Sequence, residues 1–260
     1  GIPQLGGIPL PHDMGEAART WARTMLTEAA GEAGRRHPGL TVETDDLPGE
    51  PVQALLDEAG QAGLLVLGSR GLGPLTGSVV GSVAHAVVAR STAPVVLVPA
   101  GERGASEHVP DAVGRESESA AYRDVVLGLD PAHADAAVLD FAFDEAARRR
   151  SGLHVVHGWS LPPYYARFSG ALDPELDAQL AARARARLND VLESWRDRYP
   201  GVTVREHAVI GSAGPLLVEA SHDASLIVVG RGGGHPGQVG PVVQAVLHHA
   251  VAPVAVVPHG

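Results

Sequence analysis

The sequence predicts an α/β protein built from two unequal tandem repeats, each with parallel strands joined by crossover helices. Three observations carry this. Short apolar runs alternate with segments of helical periodicity along the chain. Pro38–Gly71 aligns without a gap on Pro200–Gly233, and a fixed internal offset marks a repeated unit. Hydrophobic residues make up 45% of the 260 residues but aromatics only 4%. The core must therefore be Ala, Val and Leu, which suits helices laid closely on a parallel sheet.

The two copies match at Pro38-Gly39 and Pro200-Gly201, at Thr41-Val42 and Thr203-Val204, and at Gly49 and Gly211. Leu64, Val66, Gly68 and Gly71 fall on Leu226, Val228, Gly230 and Gly233, and the copies close alike at Ala93–Pro99 and Ala252–Pro258. Residues 101–121, rich in Gly, Ser and charge, lack apolar periodicity and read as a linker. The expected division is a first repeat over 1–100, the linker, and a second repeat over 122–260.

In the second copy, Asp124–Leu129, Leu153–His157, Val202–Val209, Leu226–Val229 and Val254–Val257 read as five strands. Helices are expected at Ala134–Arg150, after Asp173-Pro174 (a cap followed by proline at the first helical position), at Pro215–Ala220 and at Val242–His249. The first copy has three strands, at Thr41–Leu47, Leu64–Leu67 and within Ala93–Pro99. By the repeat offset it lacks its first two, which corresponds to about 40 residues before Gly1. The expectation is that the chain was cut there, or that another segment or chain fills the gap.

Composition narrows the function. The formal charge is −10, and no basic cluster is placed to track a phosphate backbone, which argues against nucleic acid as a partner. No apolar run approaches the roughly 20 residues that span a bilayer. Cysteine is absent, which fits a cytoplasmic protein and removes thiolate chemistry. All 20 basic residues are Arg, so lysine-dependent phosphoryl and Schiff-base mechanisms are excluded. Phosphate charge must be met by Arg, metal, backbone N–H groups or helix N-termini.

One loop has the residues for that task. Leu64–Leu67 leads into Gly68-Ser69-Arg70-Gly71, then nine residues, then Gly81-Ser82 and the apolar helix Val83–Ala89. Glycines let the backbone curl close to a ligand, and the helix that follows adds its first N–H groups and the positive end of its dipole. Ser82 can cap that helix or donate its hydroxyl to a phosphate oxygen, and Arg70 is the cation within the loop. The same spacing would also serve a plain flexible connection.

The pattern Gly68-x2-Gly71-x9-Gly81-Ser82-Val83, closing on Pro94–Pro99, resembles the ATP-binding signature of the universal stress protein family. Val125–Asp130 resembles that family's first strand, ending in an Asp near adenine and ribose. Leu153–Trp159 resembles its second strand, with Gly158 at a position whose main chain meets the base. The resemblance implies two Rossmann-like (adenine nucleotide alpha hydrolase-like) repeats with strand order 3-2-1-4-5, a ligand at the switch point, pairing of the repeats and a homodimer through the last strands. It implies ATP as the cofactor, with Mg as an optional companion. Gly68, Arg70, Gly71, Gly81, Ser82, Val83, Asp130 and Gly158 are then the binding residues.

Both copies depart from the pattern. In the second, the loop before Gly240-Pro241 is three residues shorter, and Pro241 stands where the signature has a hydroxyl. Proline removes both an O–H and an N–H from the cradle, so weak or no binding is expected there. In the first, the loop is complete but the first strand and its Asp are missing, leaving Thr41–Leu47 without a neighbour to pair with.

Other candidates are weaker. Gly232–Gly237 matches GxGxxG but follows the fourth strand, and no acidic residue occurs after Asp223 to hold a ribose. The thirteen histidines include no HExxH pairing, and no GxSxG elbow is present. Arg148–Arg150 reads as a solvated helix end, and Asp130 also reads as a turn or capping residue before Pro131. The expected function is nucleotide binding in a stress or regulatory role, with at most slow hydrolysis. The alternatives are a nucleotide-free dimeric scaffold of the same fold, and an ATP-using enzyme whose catalytic residues are not found in the sequence.

Overall fold

The computed structural model describes residues 12–68, 70–71, 78–99, 104–159, 174–232 and 237–259. The chain divides into two compact units, Gly1–Leu55 and Leu56–Gly260.

The first unit holds α1 (His12–Arg36), which ends on Arg35 and Arg36 paired with Glu32 one turn back. It also holds the start of α2 (Pro51–Ala59), where the Glu50 carboxylate accepts from the Val52 N–H at 3.1 Å. The strand expected at Thr41–Leu47 is not formed, and residues 40–48 carry no regular structure. Alternation of side chains states which face a strand would bury. The ladder itself needs a partner backbone, and no other strand occurs among the described residues of this unit.

The second unit is a seven-stranded sheet. Its strands are β1 (Leu65–Gly68), β4 (Val95–Val98), β5 (Asp124–Gly128), β6 (Leu153–Trp159), β7 (Val204–Ile210), β8 (Ala224–Gly230) and β9 (Val254–Val257). Between β1 and β4 lie the short strands β2 (Arg70–Gly71) and β3 (Ser78–Val79), followed by α3 (Ser82–Arg90). The order is β1-β4-β9-β8-β5-β6-β7. Taken from β7 to β9, the second half therefore has the order 3-2-1-4-5, with all five strands parallel. β4 meets β9 antiparallel, Val96 opposite Ala255, while β1 and β4 run parallel to each other.

The helices follow from local chemistry. α4 (Ala136–Arg149) starts where the Asp135 carboxylate accepts from the Ala137 N–H at 2.8 Å, and ends on Arg150 in the left-handed region (φ 53°). α5 (Pro174–Arg198) opens on proline, which suits a first helical position. α6 (Ala213–Ala220) and α7 (Pro241–His249) pack on one another. α4 and α5 share a core with alternate residues of the sheet: Phe143, Leu188 and Leu192 lie against Val125, Leu127, Leu153 and Val228. Side chains of period two send Val126, Ile227 and Val256 to the other face, and these too are buried. A sheet covered on both faces needs continuous apolar strands rather than alternating ones, and β8 and β9 are buried along nearly their whole length.

The stretch between the two halves is tied down from Gly104 onward. His108 bridges to Tyr122, and its Nδ1 donates to the Ala120 carbonyl at 2.6 Å.

Candidate functional site

The described ends of the loop after β1 pair with each other. Arg70 pairs with Val79 and Gly71 with Ser78 in an antiparallel ladder, which joins the two sides of the loop just ahead of Gly81. Gly68 ends β1 just before this ladder, and Val80, buried, leaves it. Ser69, residues 72–77 and the side chains of 70 and 71 lie outside the described residues.

Ser82 does not cap α3. Gly81 takes that position in an extended conformation (φ −67°, ψ 155°), its carbonyl accepting from the His85 N–H at 3.0 Å, and no side chain closes the first turn. Ser82 is instead the first helical residue. The consequence favours an anion, because the leading N–H groups of a helix have no partner inside it. At Ser82 and Val83 they point along the axis with the positive end of the dipole.

Asp130 and Gly158 lie elsewhere. β4 is antiparallel to β9, so the carboxyl end of β1 and the carboxyl ends of β5 and β6 fall on opposite edges of the sheet. Gly68, Gly71, Gly81, Ser82 and Val83 form one group, with Arg70 placed among them by its backbone. Asp130 and Gly158 form another at the switch point of the second half.

Asp130 there behaves as a capping residue. Its carboxylate accepts from the Ala132 N–H at 3.1 Å and from Nδ1 of His133 at 2.8 Å, opening the 3₁₀ turn Pro131–His133. Burial pushes its carboxyl up, but these two hydrogen bonds and the His133 and His157 rings outweigh it and hold it below the usual carboxylate range. His157 donates from Nδ1 to the Leu129 carbonyl at 3.0 Å, which orients the strand end beside it. Gly158 has a packing cause: a Cβ would come within 2.7 Å of the Ala213 nitrogen and 2.8 Å of the Gly211 oxygen.

The family model of the universal stress protein family matches residues 8–99 and 121–258. The chain belongs to that family. A universal stress protein of Mycobacterium tuberculosis is 33% identical over 261 residues, covering 96% of this chain and 81% of that one. A universal stress protein structure from Archaeoglobus fulgidus matches with a TM-score of 0.65 at 18% identity, covering 98% of this chain and 85% of that one, which speaks for the fold. Another universal stress protein from the same organism has been solved in complex with dAMP; it matches 53% of this chain, with a TM-score of 0.35 and 23% identity, and that ligand belongs to that protein.

Within this family fold, two contacts of the second half had no signal in sequence spacing. The Gly232 N–H donates to Nε2 of His259 at 3.0 Å, and Nη1 of Arg231 donates to the Ser91 carbonyl at 2.6 Å. Both residues sit beside Gly230, the counterpart of Gly68. Residues 233–236, and with them most of the GxGxxG match, lie outside the described residues. No described helix is long and apolar enough to cross a membrane.

Proposed function

We propose that this universal stress protein binds an adenine nucleotide, with ATP as the form its loop suits, in a stress-response or regulatory role. The phosphates would rest on Gly68, Arg70, Gly71, Gly81, Ser82 and Val83 of a first repeat over 1–100, joined by 101–121 to a second over 122–260. Asp130 and Gly158 are the matching ribose- and base-side positions, but they belong to the second repeat, whose poorer loop is not expected to fill. One observation carries the reading: the first turn of α3 is uncapped, and the β2–β3 ladder that pairs Arg70 with Val79 and Gly71 with Ser78 lies immediately before it in the chain. Neutral amides preorganised around one point attract an oxyanion without a lysine. Among the described residues no group of three or more His, Asp and Glu is placed to hold a metal, so Mg would arrive with the phosphates. The contact of β4 with β9 supports pairing of the repeats through their last strands.

Equilibrium dialysis with ATP tests this. About one nucleotide per chain is expected, and Ser82→Pro abolishes uptake. Proline is comfortable at a first helical position, so that change removes an N–H and an O–H without breaking α3. The occupied amide at Gly232 favours a second reading, a nucleotide-free scaffold. Absence of uptake by the unmodified chain decides for it.

A further inference from the structure

We propose that the free edge of β1 is a docking surface for one further strand, an apolar segment of the chemistry of β5, carried on a separate polypeptide and running parallel to β1. This goes beyond nucleotide binding and stands without it.

β1 ends the sheet: it pairs with β4 on one side, and no strand of the described residues lies on the other. The Leu65 N–H donates to the Pro94 carbonyl at 2.9 Å. The N–H groups of successive strand residues point to opposite sides, so those of Val66 and Gly68 face outward, away from β4. An unpaired row of this kind is a template for another backbone, and edges that stay free are guarded by charge. β7, at the opposite end of the sheet, is guarded in this way, with Arg205, Glu206 and His207 along it. β1 reads Leu-Val-Leu-Gly and has no charge. Its Val66 is 56% exposed, and Leu64 just before it 40%.

The second half shows what fits there. β8 is the counterpart of β1, with Leu226, Val228 and Gly230 in the places of Leu64, Val66 and Gly68. The Ile227 N–H donates to the Pro253 carbonyl at 2.8 Å, as Leu65 does to Pro94, so β8 meets β9 in the register in which β1 meets β4. On its other side β8 carries β5, parallel, with Val125 opposite Leu226 and Leu127 opposite Val228. With β5 in place, Leu226 and Val228 are 2% and 0% exposed. α4, the helix after β5, seals the same junction, its Val138 and Phe143 sharing one core with Leu127 and Val228. Side chains that are closed off in the second half are thus bare in the first, and the difference is one parallel strand with the helix that follows it. Two copies of β1 meeting about a two-fold axis would be antiparallel and would bring no helix over Val66. A strand–helix segment is the occupant that matches.

The probe is a synthetic peptide with the sequence of residues 122–150, β5 followed by α4, titrated into the unmodified chain and followed by calorimetry and amide hydrogen exchange. Saturable binding of about one peptide per chain is expected, with exchange at the Val66 amide slowed at least about tenfold. The amides of β8 should not change, which distinguishes addition at β1 from exchange with the chain's own β5. Val66→Pro removes the outward N–H without touching the bond of Leu65 to β4, and proline is tolerated on an edge strand. Val66→Glu puts a charge into the junction. Each is expected to weaken binding at least about tenfold, while Val66→Ile should leave it within about twofold. If Val66→Pro does not fold, Val66→Glu, at a side chain already exposed, gives the same decision.

No binding, binding that Val66→Glu leaves unchanged, or a Val66 amide that still exchanges fast in the complex overturns the proposal. So does a chain that dimerises by itself with the Val66 amide protected until dilution, since a second copy then occupies the edge. Success or failure of ATP uptake bears on none of these results.

Discussion

The guanidinium of Arg231 donates to the carbonyl of Ser91 at 2.6 Å, joining residues 140 positions apart. Ser91 is buried and ends α3, so its carbonyl lies at the negative end of that helix. A cation there is favoured by the hydrogen bond and by the dipole together. Arg231→Ala should lower stability by about 1.5–3 kcal/mol, read as an earlier urea midpoint at unchanged slope. Arg231→Lys should recover only part, since an ammonium lacks the planar fork. A midpoint equal to that of the unmodified chain would show the contact to be idle.

The second half was legible in sequence because each strand is an apolar run bounded by turn residues, and the helix starts at Asp135 and Pro174 follow familiar capping chemistry. Thr41–Leu47 was read as a strand from its own pattern, although the repeat offset already left it without a neighbour; with no ladder to satisfy its backbone, the segment carries no regular structure. Of the two roles open to Ser82, capping falls one position earlier because Gly81 adopts the extended capping conformation itself. The separation of Asp130 from Gly68 follows from the antiparallel β4–β9 contact, which no loop motif encodes. His259 was missed altogether, since a histidine two residues beyond a strand has no signature until its ring is seen on Gly232.

Gly158 gives a prediction that separates packing from binding. A methyl group there would press on backbone atoms of Ala213 and Gly211, which cannot swing aside as a side chain can. Gly158→Ala should therefore cost about 1–3 kcal/mol, visible as a lower thermal midpoint with no nucleotide present. An unchanged midpoint would mean that the β7–α6 turn yields freely.

Phe143 anchors the face of the sheet covered by α4 and α5. It is fully buried, with ring centroids 5.8 Å from Trp195 and 5.2 Å from Tyr199. Phe143→Ala removes these contacts and leaves a cavity among close-packed neighbours. A loss of about 3–5 kcal/mol is expected in chemical denaturation. Phe143→Leu should lose less than half of that. Equal losses would place the ring outside the cooperative core.

His154 links stability to pH. Its ring stacks on His207 of β7, with centroids 5.7 Å apart, beside Arg205, which pairs with Asp124. Burial is the main cause holding its pKa below the ordinary 6.5; the charges of Arg205 and His207 add to it, and Asp124 opposes. The unfolded chain thus binds a proton more readily than the folded one. The resulting stability is fully present above about pH 6.5 and is lost as pH falls from there through the lower folded value. Urea midpoints measured on either side of that window should fall more steeply toward acid for the unmodified chain than for His154→Gln. Parallel pH curves for the two would remove His154 from the account and leave the acid sensitivity to other groups.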